Sequence, residues 1–132
     1  MYVVMRRTII ASLVAVASGC GSGASSPAGP EPPAPTPVEV LISVTATGFK
    51  PKDTVVAIGG RATFTNNDDR LHSVASNPLT THADCPAIND VGVLVPGQSK
   101  STATLTEAKL CGYHDPSSEG SGQILMGTIT VR

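Results

Sequence analysis

Apolar and polar residues alternate with a period of two from Val38 onward, and no long 3.6-residue pattern interrupts them. Val38, Val40, Ile42 and Val44 share one face of a first strand. Asp53 to Ile58, rich in β-branched residues, is a second. Gly59-Gly60 supplies a hairpin-type turn into a third, Arg61 to Thr65, with Ala62 and Phe64 on one side. After the turn cluster Asn66-Asn67-Asp68-Asp69, Leu71 to Ala75 forms a fourth. Ser76 to Asp90, broken by Pro78 and Pro86, reads as irregular. Val91 to Val95 is a fifth strand, Pro96-Gly97-Gln98-Ser99 turns the chain, and Lys100 to Thr106 is a sixth. Ile124 to Arg132 is the last. Short strands separated by turn signals predict an all-β sandwich of seven or eight strands.

The first 37 residues follow a different grammar. Arg6 and Arg7 precede the apolar run Ile9 to Ala17, and Ala17-Ser18-Gly19 supplies small residues at a cleavage position. The run is too short for a comfortable membrane span. It predicts a signal peptide over 1–19 and export. Cys20 comes next, and Ala17-Ser18-Gly19-Cys20 resembles a bacterial lipoprotein box. That resemblance implies a lipidated Cys20 and a membrane anchor. From 20 to 37, six prolines alternate with small residues, which predicts an extended, disordered tether. The folded domain is 38–132. The expected location is the bacterial cell envelope, lipid-anchored and facing the periplasm or exterior.

Composition narrows the partners. The net charge of the 132-residue chain is −1, with no basic patch, so nothing points to nucleic acid. Two Phe, two Tyr and no Trp leave the core to Val, Ile, Leu and Ala. A domain of this size is marginal without a staple or a metal.

Candidate chemistry gathers in Cys111-Gly112-Tyr113-His114 and the upstream His72. A thiolate with two imidazoles suits copper, and such a ligand set supports one-electron transfer because little moves when the charge changes. A Cys111–His114 nucleophile–base pair lacks an orienting acid or an oxyanion motif, so an enzyme is not expected. His82 reads as a solvated loop histidine, and Asp84 and Asp115 as loop acids.

Several stretches resemble the cupredoxins, the plastocyanin and azurin group. They are Gly48-Phe49-Lys50-Pro51, Thr54 to Gly60, Thr63 to Asp68, His72-Ser73-Val74, Val95 to Ser99 and Gly127 to Val131. The resemblance covers nearly all of 38–132. It implies a Greek-key β-sandwich with one copper ion at one end, held by His72, Cys111 and His114, and a redox protein as partner. Met126 is the nearest candidate for the weak axial ligand. Strand parity sets it with Thr128 and Thr130, towards solvent, and gives the axial position to Leu125. The loop Asp115 to Ile124 is long and flexible by comparison with blue-copper members.

Cys85 supplies the competing reading. With Cys20 lipidated, Cys85 and Cys111 remain in an oxidising compartment, where a disulfide is the ordinary outcome for an even pair. The chain also resembles a cupredoxin-like subgroup with Asp-Cys-Pro and Cys-Gly-aromatic-His-Asp-His stretches. Pro116 stands where that subgroup has its second loop histidine. Three functions therefore remain open: one-electron transfer through His72, Cys111 and His114; a copper-free binding or structural module closed by Cys85–Cys111; and copper storage or delivery.

Overall fold

The computed structural model of the chain describes residues 38–132. The signal segment 1–19, the lipidation candidate Cys20 and the tether 20–37 lie outside the described residues. Nine strands follow one another: β1 (Glu39–Thr45), β2 (Gly48–Lys50), β3 (Asp53–Val56), β4 (Arg61–Asn66), β5 (His72–Ser76), β6 (Gly92–Leu94), β7 (Ser99–Ser101), β8 (Lys109–His114) and β9 (Met126–Val131). Two short 3-10 turns, Pro86–Asp90 and Pro116–Ser121, interrupt the series. No helix among the described residues is long and apolar enough to cross a membrane.

The strands form two sheets, β2-β1-β4-β7 and β3-β9-β8-β5-β6. Two pairings are parallel, β1 with β4 and β3 with β9, and both require crossovers between sheets. The result is the all-β sandwich the alternation predicts. Ile42 and Val44 of β1, Ala62 and Phe64 of β4, and Ile129 and Val131 of β9 point into the shared core.

Three local readings change. The Gly59-Gly60 turn is not a hairpin, because β3 and β4 belong to different sheets. Gly59, at φ 86°, carries the chain across, and the segment is fixed by hydrogen bonds to Leu105 from the Gly59 N–H (2.8 Å) and to the Gly60 carbonyl (2.9 Å). The strand expected over Lys100 to Thr106 pairs only at Ser99–Ser101. Beyond it Thr102 turns inward, its Oγ1 accepting from the Ala62 N–H at 3.2 Å, and an isolated threonine gives no periodic signal of this. The segment around Cys111, left without a strand by its mixed polarity, is β8, bonded to β9 along its whole length and to β5 at its end.

The few aromatic rings share one place. Phe49, Phe64 and Tyr113 meet edge-on, with centroids 4.8, 5.2 and 6.0 Å apart, which favours each ring's quadrupole. Tyr113 is fully buried and donates to the Lys52 carbonyl at 3.3 Å. Burial and the nearby Asp53 carboxylate push its phenol above the ordinary tyrosine range. Gly127, opposite Tyr113 on β9, is required by this packing, since a Cβ there would collide with the Tyr113 hydroxyl and the Lys52 carbonyl. Gly127→Ala should therefore cost about 2–3 kcal/mol through overpacking. Urea denaturation measures this, and a midpoint equal to that of the wild type would contradict the packing.

Candidate functional site

The two cysteines of the folded domain are joined. Cys85, just before the Pro86–Asp90 turn, and Cys111 on β8 form a disulfide with Cα atoms 5.7 Å apart. Both are buried, and Cys111 faces the core with Tyr113. The Cys85 N–H donates to Ser76 Oγ at 2.7 Å, which docks the loop on the end of β5. Of the two expectations for Cys111, copper ligand or disulfide partner of Cys85, the structure has the second, and a disulfide sulfur is not the thiolate that a blue-type site needs.

His72 opens β5 and is almost fully buried. Its Nδ1 lies 2.6 Å from Asp115 Oδ2 and its Nε2 lies 2.8 Å from Asp68 Oδ2. A ring between two carboxylates donates from both nitrogens, so it is an imidazolium. Burial alone would lower its pKa, but the hydrogen bonds it donates to Asp115 and Asp68 outweigh burial and raise it above the ordinary value. The same contact, with smaller help from the Asp69 N–H and Arg70, holds the Asp68 carboxyl down at about 2. With a carboxylate at each ring nitrogen, neither nitrogen of His72 is presented to a metal.

The partner that β8 presents to His72 is thus Asp115, not Cys111. Asp115 is a loop acid as expected, lying between β8 and the Pro116–Ser121 turn, but it is fully buried. Oδ1 accepts from the Ser73 N–H (2.9 Å), the Ser73 hydroxyl (3.2 Å) and the Ser117 N–H (2.9 Å). The last bond caps the Pro116–Ser121 turn. Ser118 Oγ then donates to the Asp115 carbonyl (2.6 Å) and accepts from the Leu125 N–H (2.9 Å). The loop Asp115 to Ile124, expected to be flexible, is organised by these serines. A signal was present, since Asp-Pro-Ser-Ser is a capping sequence, but its link to His72 needed the fold.

Leu125 is buried and Met126 is 42 % exposed, as strand parity requires. Met126 lies directly opposite His114 across the β8–β9 ladder, so it shares the outer side of the sheet with His114 and not the side of Leu125. That places it off the axial position. His114 itself is fully buried beneath the loop that carries His82, with ring centroids 5.1 Å apart. Its Nδ1 meets Asn77 Oδ1 at 2.9 Å. Burial lowers its pKa, and the His82 ring adds to the effect. His82 is half-buried with its Nε2 out of reach of solvent, which corrects its reading as a solvated histidine. Asp84 remains an exposed loop acid.

Sequence-predicted His72, Cys111 and His114 are therefore held apart in three separate arrangements: an ion-pair clamp, a disulfide and a histidine pair. Among the described residues, no three or more His, Cys, Asp or Glu side chains gather as a metal-binding group. The residues present do not fit a thiolate copper centre.

With this geometry in hand, similarity to solved structures is informative about the fold. The chain is similar to a purple cupredoxin from Nitrosopumilus maritimus, at 18% identity and TM-score 0.52, over 70% of this chain and 99% of that one. An oxidised amicyanin variant matches at 18% identity and TM-score 0.56, over 70% and 81%. Oxidised plastocyanin from Dryopteris crassirhizoma matches at 16% identity and TM-score 0.52, over 70% and 100%. No protein-family model matches the chain, and no curated protein does. The domain has the cupredoxin fold; at these identities the likeness reaches no further than the fold.

Two consequences can be measured. The disulfide closes a loop between positions 26 apart in sequence, so removing it as the double variant Cys85→Ala/Cys111→Ala should cost about 3.5 kcal/mol by loop entropy. Equal stability of wild type and double variant in urea would exclude that role. The second concerns pH. His72 has a raised folded pKa, so its stabilisation is complete below its ordinary value of 6.5 and is lost as pH rises through the folded pKa. His114 has a lowered folded pKa, so its contribution is present above 6.5 and is lost as pH falls. The two slopes oppose each other. The stability gap between wild type and His72→Gln, measured in chelator, should be widest at about pH 5 and narrow towards about pH 9. A gap that stays constant across that range would show that His72 is not held as an imidazolium.

Proposed function

We propose that this chain is a membrane-tethered, extracytoplasmic cupredoxin-fold module with a binding or structural role in the bacterial cell envelope. It does not transfer electrons through a thiolate–copper centre. The observation that carries the reading is the Cys85–Cys111 disulfide. A blue-type centre requires a thiolate to share its electron density with copper, and oxidation to a disulfide removes it. The His72 clamp supports the same conclusion, since both ring nitrogens face carboxylates. On the same ground Cys111 does not serve as a nucleophile.

The location belongs to the proposal as well. An apolar leader ending at Cys20 and a proline-rich tether over 20–37 support export and lipidation. A disulfide in the domain fits an oxidising compartment. A second reading, metal storage or delivery through imidazoles, draws support from the two buried histidine nitrogens that have no hydrogen-bond partner.

The deciding measurement is the mass of the intact chain after alkylation without reduction, paired with a visible spectrum after Cu2+ is added. Cys85 and Cys111 should take no label until the protein is reduced, and no intense thiolate-to-copper band should develop. Labelling of Cys111 without reduction, with a strong visible band that disappears in His72→Ala, would overturn the proposal in favour of electron transfer.

A further inference from the structure

The loop that crosses the outer side of β8 brings two imidazoles together under unusual constraint. His82 has φ 52° and is the one non-glycine among the described residues with a positive φ. Such a backbone is uncommon for histidine and persists where surrounding bonds enforce it. Here the His82 N–H donates to the Pro78 carbonyl at 2.9 Å, and Asn89 Nδ2 donates to the His82 carbonyl at 2.8 Å. These bonds hold the His82 ring against His114.

Both rings leave Nε2 buried and without a hydrogen-bond partner, and these two atoms are the only such side-chain atoms among the described residues. Leaving a buried polar atom unpaired is costly, so two of them on rings 5.1 Å apart are an unusual expense unless something joins them. On His114 the tautomer is set. Asn77 Oδ1 is an acceptor, so Nδ1 carries the proton and Nε2 presents a lone pair. A carboxylate lies near one of them: Glu119 Oε1 is 3.8 Å from His114 Nε2, and the Glu119 side chain is 47% exposed on the Pro116–Ser121 turn.

The spacing can be tested against metal geometry. An ion about 2 Å from each Nε2 lies about 3 Å from each ring centroid, so a tetrahedral angle separates the centroids by about 5 Å. The observed separation is 5.1 Å. The edge of the same tetrahedron from a nitrogen to a carboxylate oxygen is about 3.3 Å, so Glu119 is about half an ångström from its place and has the freedom to close it. Two imidazoles and a carboxylate, with an open fourth position, suit a borderline ion rather than Mg2+ or Ca2+.

We propose that His82 and His114 form a two-imidazole site for one Zn2+ or Cu2+ ion on the outer side of β8, and that Glu119, which does not gather with them as a three-donor group in the structure, moves in as third donor when the ion binds. The site is separate from the His72 clamp and uses no sulfur as a ligand.

The test is competition for Zn2+ between the full-length chain and a chromophoric chelator. Wild type should take up one equivalent. His82→Gly, which relieves the positive φ instead of straining it, should bind at least about tenfold more weakly, as even the loss of an outer partner of a zinc ligand does. Glu119→Gln should weaken binding while leaving thermal stability unchanged. Co2+ should give the intense visible bands of a tetrahedral centre in wild type and lose them in His82→Gly. No uptake of Zn2+ by folded wild type, or equal affinity in wild type and His82→Gly, would overturn the proposal and leave the two nitrogens bridged by water alone.

Discussion

The end of this sandwich depends on one buried carboxylate. Asp115 has no exposed surface, yet it carries a charge that would be costly to bury alone. It is stabilised by four donors, from His72, from the Ser73 backbone and hydroxyl, and from the Ser117 backbone. Those donors belong to β5 and to the turn after β8, so satisfying the charge fixes both. The loss of either His72 or Asp115 strands the other, which is why paired burial is tolerated and half a pair is not. A position that could hold an ion between a histidine and the end of β8 is instead occupied by a proton and a carboxylate.

The disulfide and the aromatic cluster meet the other constraint, the small size of the core. Three aromatic rings concentrate their contact area at one point, leaving the rest to small aliphatic side chains. Cys85–Cys111 joins the loop before β6 to β8 and limits the freedom of the unfolded chain. Docking that loop on β8 also buries His114 and sets His82 beside it. Stability and candidate chemistry therefore share one structural element.

The strands built on strict alternation were legible in the sequence. β1, β4, β5 and β9 fall within a residue or two of their expected places because one face of each meets the core. β8 was missed because both its faces are covered at its end, the core side by Tyr113 and the outer side by His114, which erases the alternation. Gly59-Gly60 gave the right turn but the wrong connection, since a turn motif does not say which sheet receives the next strand. Parity placed Leu125 inward and Met126 outward correctly. The site residues were found as residue types and misjudged as a set. Spacing put Cys111 and His114 near each other in sequence, but β8 sends them to opposite sides of one sheet. The roles of Asp68, Asp115 and Ser118 beside His72 became visible only once the fold brought two turns together.

The pairing of β9 with both β3 and β8 bears on the order of events during folding. β9 lies near the end of the described chain, and β3 near its beginning, so the five-stranded sheet cannot close until almost the entire domain has been made. Until then β3 and β8 each lack a neighbour, and contacts so distant in sequence form slowly. A chain that folds late in this way stays threadable for longer, a property that the proposed export would use.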